Sequence, residues 1–129
     1  MRKLVLVFLM LLCSIILVSA EEVLLTEITA TIKGGVKKYT LTENQKSKYK
    51  KLIIKYVRNE VRFGVIRLFF DNESELNTKG GKGTLLVNKD DQKIEIKIDN
   101  PNLLEKITFY FSNERDEDKE CQFNVYGLK

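Results

Sequence analysis

Histidine and tryptophan are missing from this chain, proline occurs once, and there are only two cysteines. Without histidine, a serine or cysteine nucleophile lacks its usual general base, and zinc, copper or iron lacks its commonest nitrogen ligand. One cysteine, Cys13, falls within the N-terminal leader, which leaves Cys121 as the only other thiol. An intrachain disulfide and a thiolate zinc site are then both excluded. Cys121 shares a period-two register with Phe123 and Val125, so it reads as a buried apolar residue rather than a handle for pairing between chains.

Carboxylates are plentiful, and a pair of them suffices for glycoside hydrolysis. Here they gather in turn-like stretches, at Asp71, Glu73 and Glu75 and again from Glu114 to Glu120, instead of standing singly among apolar residues. The chain reads as a non-enzyme with no cofactor. Calcium needs only oxygen ligands, and Asp71, Asn72, Glu73 and Glu75, or Asp116, Glu117, Asp118 and Glu120, supply them. Neither group follows the EF-hand spacing with its central glycine, so both read as solvated turns and no metal is expected. Asn72-Glu73-Ser74 also matches the acceptor pattern for N-glycosylation in a glycosylating host.

The first twenty residues have the form of a secretory leader: Arg2 and Lys3, an apolar run from Leu4 to Val18, then Ser19 and Ala20 before two glutamates. The apolar run is about 15 residues, short of the roughly 20 a membrane-crossing helix needs. Cleavage is expected after Ala20, with a secreted, periplasmic or cell-surface destination and no transmembrane segment afterwards. A lipoprotein anchor at Cys13 fits less well, because Leu12 stands where a small residue is required. Residues 21 to 129 then form one domain, a length that supports a single hydrophobic core. Losing Arg2 and Lys3 leaves 20 basic against 18 acidic residues, a net of +2.

Apart from Ala30 and Cys121, the apolar residues beyond the leader are Ile, Val, Leu, Phe and Tyr, which suit pleated, half-buried surfaces. Alternation from Thr26, broken by Gly34-Gly35 and resumed from Val36 to Leu41, predicts a hairpin. The period then changes. Tyr49, Leu52, Ile53, Tyr56 and Val57 fall at i, i+3, i+4, i+7 and i+8, and Thr42 with Gln45 forms a capping box, which together predict a helix over Glu43–Arg58. Val61–Phe70 reads as a central strand whose alternation changes face near Val65-Ile66, as a β-bulge would produce or as a strand covered on both faces would. A hairpin around Lys89-Asp90-Asp91 and strands carrying Ile107, Phe109 and Phe111, then Cys121, Phe123 and Val125, follow, with Pro101 between strands. The expected fold is α+β, in the order β-β-α-β-β-β-β-β, one amphipathic helix packed on a twisted, mainly antiparallel sheet. The opening element order resembles the start of a β-grasp arrangement, though no motif carries that likeness; cystatin-like and sandwich arrangements also accommodate the strands.

The stretch TKGGKGT, Thr78 to Thr84, invites a phosphate-loop reading and fails it. Gly83 separates Lys82 from Thr84, no glycine opens the motif at the required spacing, and the following TLLV reads as strand rather than helix. It reads as a basic connection, with Lys79 and Lys82 as candidate partner contacts and no nucleotide.

Charge is the chief asymmetry. Between Lys33 and Arg67 eleven basic residues face only Glu43 and Glu60, a local net of +9, and the rest of the chain beyond the leader carries −7. On the predicted helix, Lys48, Lys51, Lys55 and Arg58 lie opposite the apolar face as a basic stripe, with Arg62 nearby. Such a stripe concentrates anionic partners, or is simply a solvated face neutralised by the acidic turns. Two functions follow. The first is a small exported, non-catalytic module engaging another protein, as an inhibitor, adhesin or envelope accessory; the second is a binder of anionic glycan or an anionic surface through the basic stripe.

Overall fold

The computed structural model describes residues 21–31, 35–79, 85–112 and 120–129. The leader, Lys82 and Asp116–Asp118 lie outside the described residues. Among the described residues there are nine strands: β1 Glu22–Thr31, β2 Gly35–Thr40, β3 Lys51–Arg58, β4 Val61–Phe70, β5 Glu75–Lys79, β6 Leu85–Val87, β7 Lys93–Lys97, β8 Leu104–Phe111 and β9 Glu120–Leu128. They form two antiparallel sheets, β1-β9-β3-β7 and β2-β8-β4-β5, with β6 added to β4. Among the described residues there is no helix, so the α+β expectation is overturned in favour of an all-β sandwich.

The segment expected to be helical shows why. Residues Glu43–Gln45 form a turn, in which the Thr42 amide donates to Gln45 Oε1 at 3.1 Å and the Gln45 amide to Thr42 O at 3.0 Å. One half of the capping box is therefore made, but the chain leaves it extended. From Lys51 onward it is β3, a central strand between β9 and β7. Leu52 and Ile54 face the core, both fully buried, while Ile53 points outward between Tyr126 and Glu95 and is still only 5% exposed. A spacing of four residues is both one helical turn and two strand repeats, so Leu52/Tyr56 and Ile53/Val57 satisfy either period. Tyr49, counted with them, lies in the preceding loop, its ring so close over Gly127 that a Cβ there would come within 2.5 Å.

Two expected hairpins also dissolve. β1 pairs β9 and β2 pairs β8, so the strands on either side of Gly34-Gly35 belong to opposite sheets. β6 pairs β4 and β7 pairs β3, so the Asn88–Asp91 turn likewise crosses between sheets, held by Asn88 Oδ1 accepting from the Asp90 and Asp91 amides at 2.9 and 2.7 Å. The face switch in β4 is present: its register slips between Phe63 and Val65, so that Val61 and Phe63, then Ile66, Leu68 and Phe70, face inward. Pro101 lies between β7 and β8, as expected.

The core is the space between the sheets. Phe63, Phe109 and Phe111 from one sheet meet Phe123 of β9 from the other, with edge-on contacts of 5.1 Å (Phe63–Phe123) and 5.4 Å (Phe109–Phe123) between ring centroids. Such pairs each contribute about 0.5–1.5 kcal/mol beyond their buried area. Cys121 sits in this core, fully buried and free. At the β1–β2 edge the sheets are tied by polar groups. A bulge leaves Leu25 without a partner on β9, and its carbonyl accepts from Tyr39 Oη at 2.9 Å and Gln45 Nε2 at 2.8 Å.

Candidate functional site

The residues of the expected basic stripe are placed by β3 rather than by a helix, and the strand gives them different company. Lys51 and Lys55, four apart, share the outer face of the β1-β9-β3-β7 sheet, and Arg58 joins them after a bulge. Each meets a carboxylate from another strand: Lys51 with Glu95 at 3.4 Å, Lys55 with Glu22 at 3.1 Å and Arg58 with Glu120 at 3.2 Å. Lys55 also lies 4.5 Å from the centre of the Tyr126 ring. The Lys93 and Lys51 ammoniums hold the Glu95 carboxyl below the usual carboxylate range. Arg62, on the other sheet, pairs with Glu60 at 3.4 Å. Lys48 lies in the loop before β3. Lys79 ends β5, on the opposite side of the molecule's core from Lys51 and Lys55. The structure thus brings Lys51, Lys55 and Arg58 together among acids, and leaves Lys48, Arg62 and Lys79 apart from them. Of the acidic turns, Asp71–Ser74 closes β4 to β5. Asn72 Oδ1 accepts from the Ser74 amide at 3.1 Å and Asp71 Oδ1 from the Leu103 amide at 3.1 Å, so these oxygens organise backbone.

The outer face of the other sheet is built differently. Strand pairing sets three rows across β2, β8, β4 and β5: Val36, Tyr110, Val65 and Lys79; Lys38, Thr108, Arg67 and Asn77; Thr40, Lys106, Phe69 and Glu75. Four cations stand against one carboxylate. The equivalent rows on the first sheet hold Lys51, Lys55, Lys93 and Lys97 against Glu22, Glu27 and Glu95, close to balance. The β2-β8-β4-β5 face is open: Val36 is 48% exposed, and Lys38, Asn77, Glu75 and Lys79 are exposed with it. At its centre Thr108 is 1% exposed, a floor among longer side chains.

Electrostatics orient those side chains. Arg67 Nε donates to Asn77 Oδ1 at 2.8 Å, its guanidinium carbon is 5.4 Å from the Tyr110 ring centre, and Glu75 lies 3.8 Å away. Lys106 Nζ is 4.3 Å above the Phe69 ring. Cation–ring contacts of this kind hold a charge in place without neutralising it. Among the described residues Lys38, Lys79 and Lys106 form no ion pair. Below the third row the face runs into an open depression of about 510 Å³, where Lys46 pairs with Glu43 at 2.8 Å and approaches Glu105 at 4.0 Å.

Sequence reasoning counted Lys38 and Arg67 among the basic residues without joining them, and passed over Lys106, Tyr110, Phe69 and Asn77. The signal was available. In KITFYF, residues Lys106, Thr108 and Tyr110 occupy the positions between the apolar Ile107, Phe109 and Phe111, which puts them on one solvent-side row of a strand. What the sequence lacks is the pairing that lays β2, β4 and β5 beside them.

No protein-family model matches the chain, and no curated protein matches it. Two solved structures resemble it distantly. One is the C-terminal domain of A223, a structural protein from Sulfolobus turreted icosahedral virus, at 14% identity and TM-score 0.45, covering 83% of this chain and 98% of that one. The other is the family 32 carbohydrate-binding module of NanJ from C. perfringens, in complex with galactose, at 11% identity and TM-score 0.39, covering 82% and 99%. Likeness of that order decides neither ligand nor role.

Proposed function

We propose that this chain is a non-catalytic binding module, exported by its leader, that engages its partner through the outer face of the β2-β8-β4-β5 sheet. The observation that carries the reading is the exposed three-row face, on which Lys38, Arg67, Lys106 and Lys79 are held against a single carboxylate. Glu22, Glu60, Glu95 and Glu120 each sit in an ion pair, which leaves these four carboxylates neutralised instead of poised for proton transfer. The one thiol among the described residues, Cys121, is buried. A sheet face of this kind is a rigid platform, because each side chain's position is set by backbone pairing on both sides.

Photo-crosslinking amino acids placed singly at Lys38 and Asn77, and for comparison at Glu27 and Lys97 on the opposite face, test this directly. Exposed to native envelope or culture fractions, the first pair is expected to give a discrete adduct and the second none. Adducts from the opposite face alone, or from neither face, refute the reading.

A further inference from the structure

We infer that the ligand of this face is a linear acidic polysaccharide, its carboxylate or sulfate groups held by Lys38, Arg67 and Lys106 and its hydroxyls by Asn77. The inference rests on the binding-module reading and adds the chemistry of the partner. Charge complementarity is the first argument: the rows carry a net of +3, and the cations are mutually spaced, with Lys38 and Arg67 two strands apart, about 10 Å at the usual strand separation. A polymer bearing negative charge at intervals meets such a row; a single small anion meets only one cation of it.

Size is the second argument. Four strands about 4.8 Å apart and three rows of alternate residues about 6.7 Å apart span roughly 400 Å², about half of the roughly 800 Å² that each partner contributes to a stable protein–protein interface. A narrow chain crossing the strands fits the area that is there. Glu105, Asp71 and Glu73, which line the depression beyond the third row, disfavour an anion past Lys106 and so confine the ligand to the three rows.

The third argument separates sugar from nucleic acid. Single-stranded nucleic acid is held by bases stacked on open aromatic faces. Both aromatic rings on these rows have a cation over one face, Arg67 on Tyr110 and Lys106 on Phe69, and both residues are half-buried, so neither presents a freely open ring. Asn77, exposed on the middle row, has its Oδ1 engaged by Arg67, which leaves its amide N–H groups as donors for hydroxyl oxygens.

The test compares two variants of equal charge change on immobilised heparin, an acidic polysaccharide. K38Q/R67Q/K106Q is expected to elute at much lower salt than the parent, with affinity at least tenfold weaker and the slope of log Kd against log salt reduced by about 2. K51Q/K55Q/R58Q, whose parent side chains are ion-paired, is expected to leave retention within about twofold of the parent. Thermal unfolding of both variants accompanies the measurement, so that a loss of fold is not read as a loss of site. Equal weakening by both variants reduces the effect to net charge and overturns the inference, as does retention unaffected by either, or equal affinity for single-stranded DNA of matched charge. Crosslinking from Lys38 to a protein, with no heparin retention, would overturn the polysaccharide while leaving the binding module intact.

Discussion

At the scale of single residues, the core shows how far a side chain's surroundings alter its chemistry. Cys121, on β9 two residues before Phe123, is fully buried in the sandwich interior, and burial raises its thiol above the ordinary range. The sign of the consequence follows from proton linkage. An unfolded thiol titrates near pH 8.5; above that pH the unfolded chain releases a proton that the folded chain retains, so stability is full below it and declines as pH rises toward the folded pKa. The decline is at most about 1.4 kcal/mol per pH unit. Tyr49, raised by burial, adds the same sign of slope only above about pH 10. Urea unfolding from pH 7.5 to 9.5 is therefore expected to give a falling stability for the parent and a flatter one for Cys121→Ala, whatever the absolute cost of the cavity. Parallel slopes would show that the thiol titrates alike in both states.

Element by element, most strands were legible, but β3 was read as a helix and β5, Glu75–Lys79, as part of a turn and basic connection. Val61–Phe70 announced itself by an alternation that changes face, and the structure has its bulge there; Ile107, Phe109 and Phe111, and Cys121, Phe123 and Val125, all face the core as their register implied. In β3 the periods of strand and helix coincide at spacings of four, and the residue that separates them is Ile54. On a helix it falls off the apolar face; on the strand it is fully buried beside Val125 and Ile94 in register. Substitution makes that difference measurable. Ile54→Ala is expected to cost about 2–5 kcal/mol, as for buried aliphatic truncation, whereas Val57→Ala, at a position 43% exposed, stays within about 0.5 kcal/mol. Chemical denaturation reads both, and the reverse order would restore the helix. The same misreading scattered the basic stripe: spacing of four keeps Lys51 and Lys55 on one face in either geometry, but only the strand sets Glu95 and Glu22 beside them.

For the whole molecule, the decisive feature is that neighbours in sequence are rarely neighbours in the sheets. Among the described strands, β4 and β5 are the one consecutive pair that hydrogen-bonds; β1 to β2, β2 to β3, β3 to β4, β6 to β7, β7 to β8 and β8 to β9 each pass from one sheet to the other. Pairing of that kind leaves almost no local trace in a sequence, which is why the residues of the β2-β8-β4-β5 face were visible and their assembly was not. It also has a kinetic consequence. Each loop must close before its long-range pairing contributes, and the strand that completes both the β1 and β3 pairings, β9, is the last to be made. Chains dominated by such pairing fold in milliseconds to seconds, slower than bundles of local contacts by several orders of magnitude. Stopped-flow refolding followed by tyrosine fluorescence is expected to show its main phase in that range, and Phe123→Ala, which removes the ring joining the two sheets, is expected to lower stability by about 3–5 kcal/mol. A main phase complete within about a hundred microseconds would contradict this topology, because only local structure forms so fast.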